Sequence, residues 1–164
     1  MNTIILYKSK WGATKQYAEW IHEAYPESDI EDLNKFDVEN FSNYDIVVIG
    51  SRTYMGRILV GKFLTGNWNK LKDKKVYLFS VGMMLPDSEE SKMSFKLIPE
   101  DIRSSLVGYS KLPGKIEAEK LNFLVKKFMK KHKGPTDKID RNSIKPIVDF
   151  LIQNAQEEKS DEEI

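Results

Sequence analysis

Three runs of the chain are almost uninterrupted in apolar and β-branched residues: Thr3-Ile4-Ile5-Leu6-Tyr7, Asp45-Ile46-Val47-Val48-Ile49-Gly50 and Lys75-Val76-Tyr77-Leu78-Phe79-Ser80-Val81. Strands covered on both faces read this way, because neither face alternates toward water. The runs predict three central, parallel strands. Between them the spacing becomes helical: Ala13, Tyr17, Ile21 and Ala24 put one apolar stripe against a sheet, and Pro26 ends that helix. A weaker strand near Ile30 to Leu33, a short helix near Val38 to Phe41 and a helix over Ile58 to Trp68 follow. A fifth strand is expected over Leu106 to Ser110, ahead of Pro113-Gly114. Ile144, Ile147, Val148, Leu151, Ile152 and Ala155 predict a closing helix, with Ser143 as its cap and Pro146 in its first turn.

Strands alternating with helices make an α/β protein with a doubly wound sheet. Right-handed crossovers leave a five-stranded parallel sheet of order 2-1-3-4-5 as the arrangement that uses every element. The 164 residues suit one domain, expected over 1–156. The remainder, 157–164, carries Glu157, Glu158, Asp161, Glu162 and Glu163 against Lys159 and is expected to fray into solvent as a flexible acidic tail.

Charge is nearly balanced, 26 Lys+Arg against 25 Asp+Glu, so whole-molecule charge says little about partners, and no nucleic-acid partner is expected. The chain has no cysteine, which removes disulfides, thiolate metal sites and catalytic thiols, and leaves redox chemistry to a bound cofactor. The start of the chain runs straight into a strand and no apolar run is long enough for a bilayer, so a cytoplasmic protein is expected. His22 and His132 have no partners at ligand spacing, so no metal is expected. The ends of strands one and three, Tyr7-Lys8-Ser9 and Gly50-Ser51, lack the aspartates of a phosphoacceptor domain.

Each of the three strong strands empties into a short loop: Ser9-Lys10-Trp11-Gly12-Ala13-Thr14, Ser51-Arg52-Thr53-Tyr54-Met55-Gly56 and Val81-Gly82-Met83-Met84-Leu85-Pro86. In the 2-1-3-4-5 order all three open at one sheet edge, where open α/β proteins hold ligands. The first loop has two hydroxyls around a glycine at a helix start, the chemistry of a phosphate cradle, although by itself it equally fits a capped helix turn. It is neither a Walker loop nor a dinucleotide fingerprint. The other two loops add an aromatic ring, methionines and flexible glycines. Together they suit a ligand with a phosphorylated tail and a large flat ring, such as flavin mononucleotide (FMN).

In these three loops, taken jointly, the sequence resembles the flavodoxin family, and the order of elements follows that family over most of the chain. The resemblance implies that Ser9, Lys10, Trp11, Gly12, Ala13 and Thr14 surround the FMN phosphate. Thr53, Tyr54, Met55 and Gly56 would lie along one side of the isoalloxazine and Gly82, Met83 and Met84 along the other. Trp11 stands where the family commonly has a small hydroxyl residue, and the third loop lacks the tyrosine that often stacks on the flavin. The implied activity is electron transfer as an FMN-dependent oxidoreductase or electron carrier. Lys10, Arg52 and Arg57, in or beside the loops, would favour added electrons and raise the flavin potential. Gly56 would let a backbone carbonyl turn toward flavin N5.

Beyond the fifth strand, Leu121, Leu124, Val125, Phe128, Met129 and His132 keep helical spacing, with Lys126, Lys127, Lys130, Lys131 and Lys133 largely opposite. This extra basic amphipathic helix, with Gly134-Pro135-Thr136-Asp137 after it, resembles the insertion of menaquinone-dependent protoporphyrinogen dehydrogenases. That likeness implies a redox partner protein or a quinone, and peripheral contact with a membrane through Leu121 to Lys133. Two alternatives stay open: a quinone-dependent protoporphyrinogen oxidase-like enzyme, and a flavin-free interaction module that docks an acidic partner or lipid through the same helix. The number of subunits is left open.

Overall fold

The computed structural model describes residues 1–114 and 139–162. The basic helix expected over Leu121 to Lys133 lies outside them. The three apolar runs form β1 (Thr3–Lys8), β3 (Ile46–Tyr54) and β5 (Lys75–Gly82). With β2 (Asp29–Asp32) and β6 (Gly108–Pro113) they make a parallel sheet of order β2-β1-β3-β5-β6, the expected 2-1-3-4-5 plan. One addition was not expected. The two-residue strand β4 (Arg57–Ile58) folds back antiparallel on the end of β3, pairing Thr53 with Ile58 and Tyr54 with Arg57.

The helices are α1 (Ala13–Ala24), α2 (Gly61–Leu71), α3 (Glu89–Lys96), α4 (Glu100–Ser105) and α5 (Lys145–Glu162), with 3₁₀ turns at Val38–Asn43 and Arg141–Ile144. Sequence spacing missed α3 and α4, which are short and start from local signals. The Ser88 side chain accepts from Ser91 N–H at the start of α3, and Pro99 leads α4. α2 begins three residues after the expected Ile58, because Ile58 is held in the β4 hairpin.

The fifth parallel strand is β6, displaced toward the C-terminus from the expected Leu106 to Ser110. Leu106 N–H still closes α4 on Ile102, so the extended run starts later. Pro113 can end it because β6 is an edge strand, where a missing N–H leaves no rung unmade. At the other terminus, Asp140 caps the 3₁₀ turn by accepting from Asn142 N–H, and Ser143, the expected cap, instead donates to the Asp140 carbonyl. Pro146 does fall in the first turn of α5. That helix runs through Glu162, past the expected domain end at 156. The Met1 amino group pairs with the Glu158 carboxylate, which ties the helix end to the start of β1.

Both sheet faces are covered. Ile4, Leu6, Val47, Ile49, Val76 and Leu78 pack under α2 and α4 on one side. Ile5, Ile46, Val48, Phe79 and Val81 pack under α1 and α5 on the other. Each such side chain contributes about 1.5–3 kcal/mol relative to exposure, which fixes the strands as a frame for their loops. Among the described residues no helix is long and apolar enough to cross a membrane.

Candidate functional site

The parallel register decides where the loops emerge. Lys8 pairs with Ser51, Ser51 with Ser80, Arg52 with Val81 and Gly82 with Pro113, so β1, β3, β5 and β6 end at one edge. The three loops therefore leave the sheet side by side, as the order of strands predicts.

The first loop turns on Gly12, at φ 91°, a left-handed conformation that side chains resist. Its N–H donates to Ser9 Oγ at 3.1 Å, and the helical ladder opens with Gln16 N–H to the Gly12 carbonyl at 2.9 Å. The N–H groups of Ala13, Thr14 and Lys15 precede that first rung and point out of the start of α1, where the helix dipole favours an anion. Thr14 is buried and Lys10 exposed. No atom lies within 4 Å of where a Gly12 side chain would begin, so the turn has an open face.

The second loop is a two-residue hairpin. Met55 (φ 46°) and Gly56 (φ 73°) are both left-handed, the requirement of the type I′ turn that matches strand twist. For methionine that conformation costs about 1–2 kcal/mol, strain stored at the rim of the sheet. The turn holds Met55 83% exposed, at the tip of the loop and out of contact with the core.

Arg52 joins these two loops. Its guanidinium lies 4.8 Å from the Trp11 ring centre and 4.6 Å from that of Tyr54, a cation held between two aromatic faces. Lys10 Nζ also lies 5.3 Å from the Trp11 ring. Trp11, the residue that departs from the hydroxyl pattern, is thus a platform for positive charge. Arg57 is exposed on β4.

A residue missed by sequence reasoning joins the second loop to the third. Lys111 on β6 reaches across β5, and its Nζ donates to Thr53 Oγ1 at 2.8 Å. It can do so because Gly82 lies in between without a side chain: a β-carbon there would sit 2.7 Å from Nζ. Burial pulls the Lys111 pKa down from 10.5 to about 8. Nearby, Ser80 Oγ and the Tyr109 hydroxyl share a 2.8 Å hydrogen bond, and burial raises the Tyr109 pKa. The one signal for Lys111 in the sequence is its place two residues before Pro113, next to Leu112, the buried residue of β6. Met83 and Met84 are half-buried, while Leu85 beyond them is exposed.

The structure thus brings together Trp11, Arg52 and Tyr54, and separately Thr53, Gly82 and Lys111, along one continuous edge. Backbone donors, a left-handed glycine, cations and flat side chains fit a phosphorylated ring ligand. Elsewhere, His22 Nδ1 lies 3.1 Å from Ser28 Oγ, beside a shallow depression of about 390 Å³ lined by Tyr7, Glu19, Glu23 and Ile30. Among the described residues no cluster of three or more histidine or acidic groups could hold a metal ion.

Comparison with known proteins bears on this edge. No curated protein matches the chain. Oxidised flavodoxin 2 from Bacillus cereus superposes with TM-score 0.53 at 22% identity, covering 77% of this chain and 92% of that one. Two-electron reduced flavodoxin from Megasphaera elsdenii gives TM-score 0.56 at 19% identity, over 71% and 89%. A flavoprotein in complex with FMN from Lactobacillus acidophilus gives TM-score 0.50 at 19% identity, over 67% and 92%. These likenesses establish a shared fold. The sequence profile of the flavodoxin domain matches residues 4–142, which takes in all three loops and every parallel strand, and the chain therefore belongs to the flavodoxin family.

Proposed function

We propose that the rim formed by the three loops binds FMN and that the protein transfers electrons through it. Gly12 and the free N–H groups at the start of α1, with the Ser9 and Thr14 hydroxyls and the flanking Lys10, Trp11 and Ala13, hold the phosphate. Thr53, Tyr54, Met55 and Gly56 flank the ring on one side and Gly82, Met83 and Met84 on the other. The observation that carries this reading is the arrangement of Arg52 and Lys111, which link the first loop to the second and the second to the third at a single sheet edge. The FMN complex of the Lactobacillus acidophilus flavoprotein, which shares the fold, supports it.

Bound FMN would supply the redox chemistry, accepting one or two electrons. The chain's own part is to hold and tune it. Arg52, kept in place by Trp11 and Tyr54, puts fixed positive charge beside the ring loops and favours added electrons. Gly56, already left-handed, gives the Met55–Gly56 peptide room to turn toward a ring nitrogen. In this reading the protein works in the cytoplasm and passes electrons to a redox protein or a quinone.

The test is the visible spectrum of the native protein with calorimetric titration of the apoprotein by FMN. A flavin spectrum and saturable binding, weakened by Gly12→Val more than by substitution of exposed Lys15, are expected. No heat at saturating FMN overturns the proposal.

A further inference from the structure

Lys111 has no part in the family's three loops, yet it touches two of the residues expected to line the ring. Its Nζ is bonded to Thr53 Oγ1 at 2.8 Å and lies over the bare backbone of Gly82. Gly114 N–H closes on the Gly82 carbonyl at 2.9 Å, and a side chain on Gly114 would collide with the Gly82 backbone at 2.9 Å. The amine is therefore set in a confined place beneath both ring-flanking loops. A lysine there is costly to bury, and the missing side chain of Gly82 is what admits it.

We propose that Lys111 couples proton uptake to electron uptake at the ring site, its amine gaining a proton as negative charge arrives above Thr53 and Gly82. This rests on the FMN reading. The electrons come from an external donor of low potential, the proton comes from water, and the only bond formed at Lys111 is the third N–H of its ammonium. Once protonated, the ammonium offsets the added charge; when that charge leaves, the proton is released.

The surroundings allow Lys111 to titrate in the accessible range. Burial lowers its pKa from the ordinary 10.5 to about 8. On β3, Arg52 is the nearest charged neighbour in sequence to Thr53, and its guanidinium is engaged by Trp11 and Tyr54. On β4, Arg57 is exposed. β5 offers Ser80 and Gly82, which do not titrate. On β6 itself, Tyr109 is held neutral by burial and bonded to Ser80, with its ring stacked 4.1 Å from Phe95 of α3. α3 turns Ser91 and Ser94 inward, and Glu89, Glu90, Lys92 and Lys96, with Asp87 before them, are exposed. Among these described groups, Lys111 is the one beneath the ring loops that changes charge near pH 8.

Below about pH 8 Lys111 is charged whether or not electrons are present; well above it, the amine is neutral until they arrive. Reduction then takes up one more proton, so the midpoint potential of the FMN-loaded protein falls more steeply with pH from about 8 upward. Selective ¹³C NMR of the Lys111 ε-carbon reads the proton directly. It should titrate near pH 8 in apoprotein and with oxidised FMN, and at higher pH after reduction by dithionite. Potentiometry of Lys111→Met should show the extra slope abolished, and a ratio of reduced to oxidised FMN affinity about tenfold below wild type at neutral pH, about 30 mV for two electrons. Lys111→Arg should keep the neutral-pH potential without the extra slope. An identical Lys111 titration in both redox states overturns the proposal and leaves FMN binding standing. Absence of FMN binding overturns both.

Discussion

The Tyr17 hydroxyl donates to the Pro113 carbonyl at 2.6 Å. The same oxygen accepts from Asp140 N–H at 2.9 Å, so one side chain of α1 fastens the end of β6 to the start of the turn that leads into α5. Arg141 strengthens the attachment, with an ion pair to Glu23 at 2.8 Å and its guanidinium 5.8 Å from the Trp20 ring centre.

Tyr17→Phe keeps the ring in the core and removes both hydrogen bonds. It should cost about 1–3 kcal/mol in urea unfolding, because the Asp140 N–H and Pro113 carbonyl lose a buried partner. Burial raises the Tyr17 pKa above 10, so the phenol stays protonated and the loss should be constant up to that pH. A deficit that disappears on moving from neutral pH to pH 9 would contradict this assignment.

Much of the fold was legible because its signals are local. The runs at Ile4, Val47 and Leu78 could only be buried strands, and their order followed from crossover handedness. The edge holding Ser9 to Thr14, Thr53 to Gly56 and Gly82 to Met84 was legible for the same reason. What escaped depends on backbone conformations and contacts that periodicity does not carry. β4 exists because two left-handed residues, Met55 and Gly56, close a hairpin, and a methionine gives no warning of that conformation. Gly108, the first residue of β6, fits against Tyr77 of β5, where a β-carbon would lie 2.3 Å from the ring, a contact between strands far apart in the chain. The role of Lys111 needs Gly82 and Thr53 on two other strands, and periodicity cannot show a side chain reaching past one strand to another.

Gly50 and Phe79 pair across β3 and β5, and the Phe79 ring fills the space where a Gly50 side chain would be; a β-carbon would fall 1.9 Å from its ζ carbon. Gly50→Ala should therefore destabilise the protein by about 3 kcal/mol or more, the upper range for overpacking, since Phe79 is fully buried and has no room to withdraw. Gly50→Ala combined with Phe79→Leu should recover part of that loss. Equal midpoints for wild type and Gly50→Ala in urea would refute the close packing.

Arg52 between Trp11 and Tyr54 makes a second kind of claim, about charge. Arg52→Gln removes a cation beside the ring loops and should lower the FMN midpoint potential, by an amount that shrinks with added salt because the site is at the rim. Trp11 fluorescence should change as well, as its face loses the guanidinium. Arg52→Lys should restore most of the potential but less of the fluorescence, since an ammonium lacks the planar stacking surface. Potentials unchanged in Arg52→Gln at low salt would remove Arg52 from the tuning of the site.

Lys111 can be tested in the fold without reference to any ligand. Its pKa is about 8 in the folded protein against 10.5 ordinarily, so the charged form is the disfavoured one. Below pH 8 the amine is protonated in both folded and unfolded chains, and the folded state bears the full cost of burying it. Between 8 and 10.5 the unfolded chain holds more protons, so stability rises with pH; above 10.5 both forms are neutral and the cost is gone. Lys111→Met carries no such cost. It should be more stable than wild type by about 2 kcal/mol at neutral pH, after allowing for the lost bond to Thr53, and the gap should close as wild type gains stability through that window. Urea midpoints of the two proteins across the alkaline range read this directly. A constant difference would mean that Lys111 reaches water when charged, and that the enclosure formed by Thr53 and Gly82 does not hold it.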